Sequence, residues 1–104
     1  MSDNFQALIQ AIKDSAGDIQ VTKAKAGSSH PTLADGISLA KSGLVWCCFQ
    51  NRRTGEVEVL DGSTPIYSLD LTLDGIEFTA SKILRDFNYE SASVTEKMHP
   101  KTDA

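Results

Sequence analysis

The apolar positions near the N-terminus recur at three- and four-residue spacing. The residues that follow this spacing, between polar neighbours, are Phe5, Leu8, Ile9, Ile12 and Ala16. Side chains so spaced share one face of a helix, so the pattern predicts an amphipathic helix over residues 4–16. Because one face of this helix is apolar, it must lie against another apolar surface.

The middle of the chain has the patterns of strands joined by turns. Residues 18–26 alternate weakly, and residues 33–42 fit either a helix or a strand, of which we favour the strand. Residues 44–50 are a continuous run rich in β-forming residues, which predicts a strand buried on both faces. Residues 56–60 alternate sharply, and a loop of about five residues before them predicts a hairpin.

The sharpest alternation in the chain lies at residues 66–73 and predicts a strand with one dry and one wet face. The leucines expected on its dry face are Leu69, Leu71 and Leu73. The polar residues expected on the opposite face are Ser68, Asp70, Thr72 and Asp74. Asp74-Gly75 then suits a two-residue hairpin turn, after which Ile76 and Phe78 continue the alternation.

The spacing changes to a helical one after residue 79. Apolar residues at this spacing are Ala80, Ile83, Leu84 and Phe87, and Thr79 or Ser81 is a suitable N-cap. From Glu90 onward few residues are apolar, so this segment buries too little surface to offset its ordering entropy. We therefore predict a globular domain over residues 1–89 and a mobile polar tail over residues 90–104.

The order of helix, several strands and helix predicts an α+β fold. We expect a single antiparallel sheet of about four to six strands, packed on one face by an N-terminal and a C-terminal helix. The length of 104 residues fits one such domain.

Composition restricts the classes of function. Apolar residues make up 40% of the chain, and 10 Lys+Arg against 14 Asp+Glu give a net charge of −4. This acidity disfavours nucleic acid and an anionic membrane surface as partners. We find no transmembrane run and no signal peptide. Together with two adjacent cysteines and no second pair, this predicts a small soluble cytoplasmic protein.

The negative charge is concentrated in the second half of the chain. Residues 1–52 hold five basic and four acidic residues, whereas residues 53–104 hold five basic and ten acidic ones. No Lys or Arg occurs between Thr54 and Ser81. A partner, if there is one, should therefore be basic.

No set of residues predicts catalysis, a metal or a cofactor. Cys47 and Cys48 are adjacent on a strand, so their side chains point to opposite faces and serve as core residues. His30, in the loop over residues 27–32, and His99 have no neighbouring ligands of the kind a metal requires. Asp70-x-Thr72-x-Asp74 resembles the start of a calcium loop, but Ser81 stands where such a loop has its final Glu.

These observations favour a non-enzymatic protein–protein interaction module of the inhibitor, immunity-protein, antitoxin or adaptor type, which binds through an acidic sheet face. The candidate contact residues are Glu56, Glu58, Asp70, Asp74, Glu77, Arg52 and Arg53. The alternative is a small-molecule-binding domain or minor enzyme with a pocket between sheet and helices. Either kind of protein could form a homodimer through an exposed strand edge.

Overall fold

The structure is a computed structural model that describes residues 3–27 and 31–98. Its elements, in chain order, are α1 (Asp3–Ser15), β1 (Gln20–Ala24), β2 (Leu33–Lys41), β3 (Leu44–Asn51), β4 (Val57–Asp61), β5 (Thr64–Leu69), α2 (Leu71–Asp74) and α3 (Ile76–Met98). The predicted N-terminal helix and the strand chosen for residues 33–42 are confirmed.

The strands form one open sheet in the order β1-β2-β3-β4-β5, with every neighbouring pair antiparallel. This is a meander, in which strands adjacent in the chain are adjacent in space. The predicted α+β fold, with one antiparallel sheet and a helix at each end, is confirmed. The turn between β3 and β4 covers residues 52–56, as the hairpin prediction requires.

Both long helices lie on one face of the sheet and pack against each other. The apolar stripe of α1 is almost fully buried, with Leu8 and Ile12 at 0% exposure. The strands contribute alternate residues to the same core, because side chains alternate between the two faces of a strand. Core residues from the sheet and α3 include Ile37, Leu39, Trp46, Cys48, Val57, Val59, Ile83 and Phe87.

The other face of the sheet has a smaller apolar cluster formed by Leu33, Phe49 and Leu60. Cys47 packs at the edge of this cluster, whereas Cys48 belongs to the main core. The prediction that the two cysteines lie on opposite faces is therefore confirmed. The centre of β3 is also buried on both faces, as its continuous apolar run indicated.

The strand predicted over residues 66–73 is confirmed only as far as Leu69, and the prediction of strand and hairpin turn from Asp70 to Phe78 is wrong. β5 ends at Leu69, and Asp70 caps the short helix α2 by accepting a hydrogen bond from the Leu73 amide at 3.0 Å. Leu71 is buried, but Leu73 is 81% exposed, so the three leucines do not share a face. Gly75 has a φ of 91°, which a glycine adopts at little cost, and it separates α2 from α3 instead of forming a hairpin turn.

The C-terminal helix is longer than predicted at both ends. It begins at Ile76, so Phe78 is a helical residue with 56% exposure, and Thr79 lies inside the helix instead of capping it. It continues to Met98, and Ser91 is buried, so residues 90–98 are helical. The mobility of the tail stays a prediction, and residues 99–104, with His99, lie outside the described residues, as does His30.

Residues 3–27 and 31–98 include no helix that has both the length and the apolar character required to cross a bilayer.

Candidate functional site

The acidic residues predicted to form one sheet face lie in different elements. Glu58 is in β4, on the face opposite the helices, and accepts a hydrogen bond from Asn51 Nδ2 at 3.4 Å. Glu56 lies in the turn before β4, where its amide donates to Thr54 Oγ1 at 3.2 Å. Of the five acidic candidates, Glu58 is therefore the one that the sheet presents on its open face.

The other three acidic candidates belong to the helical segment. Asp70 is the N-cap of α2, and its carboxylate is engaged by the Leu73 amide. Asp74 ends α2, and Glu77 lies in the first turn of α3, facing a shallow cleft beside Asp14 of α1. The predicted acidic sheet face depended on reading residues 66–78 as strands, so these residues are not brought together on the sheet.

Arg52 and Arg53 occupy the tip of the β3–β4 hairpin and are exposed. The turn is held by the Asn51 side chain, whose Oδ1 accepts from the amides of Arg53 at 2.8 Å and Thr54 at 3.1 Å. Both arginine side chains thus belong to an ordered turn, and neither forms a salt bridge among the described residues. Their part in binding a partner stays a prediction.

The most distinctive site is a cleft of about 320 Å³ where the β4–β5 hairpin meets the second half of α3. We call it the acidic cleft; its lining residues are Trp46, Asp61, Ile66, Tyr67, Asp86, Tyr89 and Glu90. Three of these residues are carboxylic acids and three are aromatic, and none is basic. Asp61, Glu90 and Tyr89 are exposed, so the mouth of the cleft has two accessible carboxylates and one accessible ring.

A hydrogen-bond network organises the inner wall of the acidic cleft. The Tyr67 hydroxyl donates to Asp86 Oδ2 at 3.1 Å, and Lys82 Nζ donates to the same oxygen at 3.1 Å. Lys82 Nζ also lies 5.0 Å from the centre of the Tyr67 ring, which is a cation–π distance. Arg85 Nε approaches the other oxygen of Asp86 at 3.6 Å. Asp86 therefore fixes the Tyr67 ring in place.

The protonation states of this network follow from its contacts. Partial burial alone would raise the pKa of Asp86, but hydrogen bonds from Lys82 and Tyr67 and the nearby positive charges outweigh it and lower that pKa. Burial and the adjacent carboxylate raise the pKa of Tyr67. At neutral pH the phenol is therefore protonated and donates to an ionised carboxylate.

The aromatic floor of the acidic cleft is continuous with the core. Trp46 is 3% exposed and packs edge-on against Tyr67, with ring centres 6.3 Å apart, and against Phe87 at 5.4 Å. Edge-to-face pairs of this kind stabilise by about 0.5–1.5 kcal/mol beyond the area they bury. Tyr89, in contrast, is 72% exposed, so its ring is accessible at the mouth of the cleft.

The carboxylates of the acidic cleft are spread around it. Within the described part of the chain, no three His, Cys, Asp or Glu side chains are grouped closely enough to hold a metal ion.

The cysteines show no sign of reactivity. Burial, and then the charge of Cys47, raise the pKa of Cys48 to about 12, and burial raises the pKa of Cys47. A nucleophilic cysteine acts as the thiolate. Both thiols are therefore protonated at neutral pH, in keeping with the core role predicted for this pair.

Sequence reasoning did not single out the carboxylates of the acidic cleft. Asp86, Tyr89 and Glu90 lie three and four residues apart, which places them on one face of a helix. The sequence contains this helical spacing. Because we predicted a mobile tail from Glu90 onward, the predicted helix stopped before Glu90. The approach of Asp61 and Tyr67 to this face depends on tertiary packing, which no local spacing reveals.

Comparison of the chain with protein-family models, with curated proteins and with solved structures finds no match to any of them.

Proposed function

We propose that this chain is a non-enzymatic interaction module that binds a basic segment of a partner protein, and that the acidic cleft holds a cationic side chain of that segment. The observation that carries the proposal is the combination of two exposed carboxylates, of Asp61 and Glu90, with the exposed ring of Tyr89 in one cleft. Aromatic faces attract cations through their ring quadrupoles, and carboxylates add charge-assisted hydrogen bonds.

Each side chain of the acidic cleft has a distinct role in this proposal. Asp61 and Glu90 are exposed and supply the negative charge that attracts the cation. Tyr89 offers an accessible ring on which a guanidinium group can stack. Asp86 is already engaged by Lys82 and Tyr67, so it acts as a positioning residue for the inner wall.

The four groups with shifted pKa values are both cysteines, Tyr67 and Asp86. The resolved shifts raise the pKa of both cysteines and Tyr67 and lower that of Asp86, so all four groups move away from neutrality. General acids and bases work best when their pKa lies near the working pH. These four groups are therefore not suited to acid–base catalysis at neutral pH.

The fluorescence of Trp46 provides a direct test, because it is the one tryptophan of the chain and lies on the cleft floor. The probe is an acetylated and amidated hexa-arginine peptide, and a hexa-glutamate peptide serves as the charge control. We expect the arginine peptide to change the emission with saturation and the glutamate peptide to leave it unchanged. An emission that neither peptide alters contradicts the proposal.

The variant that tests the site is Asp61→Asn with Glu90→Gln. Loss of two charge contacts at about 0.5–1 kcal/mol each should weaken hexa-arginine binding about fivefold to thirtyfold. The matched control is Asp74→Asn with Glu77→Gln, which removes the same charge outside the cleft and should weaken binding less than about twofold. Equal weakening by both variants, or greater weakening by the control, overturns the assignment to the acidic cleft.

A further inference from the structure

A second and larger cleft of about 570 Å³ lies at the opposite edge of the sheet, between α1 and the strands β1 and β2. Its charged lining comes from Lys13 of α1 and from Lys23 and Lys25 at the end of β1. Asp35 is the one carboxylate among its lining residues. We call it the lysine cleft, and its charge is opposite to that of the acidic cleft.

Lys23 stands where an apolar residue is expected. It pairs directly with Ile37 across the antiparallel β1–β2 ladder, and directly paired residues share a face of the sheet. Ile37 is 2% exposed and belongs to the main core beneath the helices. Lys23 therefore lies on the helix-covered face, at an exposed position that lines the cleft.

One carboxylate against three lysines leaves the lysine cleft with a net positive charge. Asp35 Oδ1 already accepts the amide hydrogen of Ala26 at 3.2 Å. Across residues 3–27 and 31–98, no carboxylate forms a salt bridge with Lys13, Lys23 or Lys25. All three lysines are exposed, so their mutual repulsion is screened by salt, and a bound anion would reduce it further.

The floor of the lysine cleft is apolar. Ile9 of α1 and Ile37 of β2 both line it, with Ile9 half-buried and Ile37 buried. The volume falls in the range of small-molecule pockets, which combine apolar walls with a few polar groups. From the charge, the floor and the volume we infer that the lysine cleft binds a small organic anion that carries carboxylate or phosphate groups on an apolar body.

A lysine on an edge strand also protects a sheet against edge-to-edge pairing. That role accounts for Lys23 on β1, but it does not account for Lys13 on α1 or for the cavity between the two elements. The inference does not depend on the proposed function, because the two clefts share no lining residue.

The test titrates the full chain with 1-naphthyl phosphate. The measured quantity is the change in the ¹H–¹⁵N chemical shifts of the Ile9, Lys23 and Gly36 amides. Inorganic phosphate supplies the charge without the apolar body, and 1-naphthol supplies the body without the charge. We expect saturable shifts at these amides with 1-naphthyl phosphate, and at least about tenfold weaker binding of either control compound. Absence of saturable shifts at these amides, or equal binding of 1-naphthol, overturns the inference.

The variant Lys13→Gln with Lys23→Gln locates the site. We expect it to weaken 1-naphthyl phosphate binding about tenfold, from two charge contacts. The matched control is Arg52→Gln with Arg53→Gln, which removes the same positive charge at the β3–β4 hairpin tip, outside the cleft lining, and should change binding less than about twofold. If both variants weaken binding equally, overall charge explains the binding and the inference fails. Unchanged binding in the lysine variant also overturns the inference.

Discussion

The two edges of the sheet carry clefts of opposite charge. The acidic cleft lies beside β5 and α3, whereas the lysine cleft lies beside α1 and β1. A meander places strands in space in the same order as in the chain. The uneven charge of the two halves of the sequence therefore becomes an uneven charge of the two ends of the sheet.

The two clefts also differ in what holds them. The acidic cleft rests on Trp46 and Phe87, so its floor is part of the core. The wall of the lysine cleft contains Gly36, where a β-bulge lets β2 approach β3 closely. A Cβ atom at Gly36 would overlap the carbonyl oxygen of Cys48. The shape of the acidic cleft thus depends on side-chain packing, whereas the shape of the lysine cleft depends on a close contact between two backbones.

The largest effect should come from Trp46→Ala, which removes the floor of the acidic cleft. Large aromatic-to-alanine changes in a core cost about 3–5 kcal/mol, through lost burial and the cavity left behind. The measurement is the free energy of unfolding from urea denaturation followed by far-UV circular dichroism. A phenylalanine ring can still pack against Tyr67. Trp46→Phe should therefore lose less than half of the stability that Trp46→Ala loses. A loss below about 1 kcal/mol for the alanine variant would mean that this floor is not part of the core.

A smaller loss of stability should follow Gly36→Ala at the lysine cleft. The added methyl group requires β2 and β3 to separate, and overpacking of this kind costs about 1–3 kcal/mol. Gly43→Ala, in the turn between the same two strands, is the control for the glycine itself, since nothing lies near its added Cβ atom. Its positive φ of 86° still gives it some strain. Gly36→Ala should be the more destabilising variant, and the reverse order would contradict the close approach at the bulge.

Asp86→Asn should lower the free energy of unfolding by about 1–2 kcal/mol at neutral pH, because the inner wall of the acidic cleft loses hydrogen bonds to a charged group. Folding lowers the pKa of Asp86, so its contribution is complete above the unfolded-state pKa and disappears as pH falls through the lowered folded-state pKa. The stability difference between the wild-type chain and the variant should therefore shrink below about pH 4. A difference that stays constant from pH 7 to pH 3 would show that the carboxylate charge is not involved.

The smallest effect on stability, and the most specific effect on binding, should come from Tyr89→Ala. Its side chain is 72% exposed, so unfolding should change by less than about 0.5 kcal/mol. An exposed cation–π contact contributes about 0.5–1 kcal/mol, so hexa-arginine affinity should fall about twofold to fivefold. Tyr89→Phe keeps the ring and should retain the affinity. If the phenylalanine variant loses as much as the alanine variant, ring stacking is not the contact.

The sequence pattern was sufficient wherever one period extended over a whole element. The helical spacing of α1, the alternation of Glu56–Leu60 and the continuous apolar run of β3 predicted elements that the structure contains. The opposite orientation of Cys47 and Cys48 followed from strand geometry alone. The α+β class followed from the order of these elements, because each apolar face has to be buried against another.

The secondary structure of the segment from Asp70 to Phe78 depends instead on its tertiary environment. Alternating leucines over four positions also fit a helix start, and the Asp70 cap and Gly75 favour helices on both sides. Strand and helix periods cannot be separated over so short a stretch. The 23-residue helix α3 offers a longer apolar face to the core, and its burial outweighs the local alternation.

Both clefts depend on tertiary structure to bring distant residues together. The local charge of each half could be read from the sequence, and so could the expectation of a basic partner. The meeting of Asp61, Tyr67 and Asp86, or of Lys13 and Lys23, could not, because it depends on how separate elements pack against one another. Composition determines how much charge the protein carries, whereas sheet order and helix packing determine which charges face the same cavity.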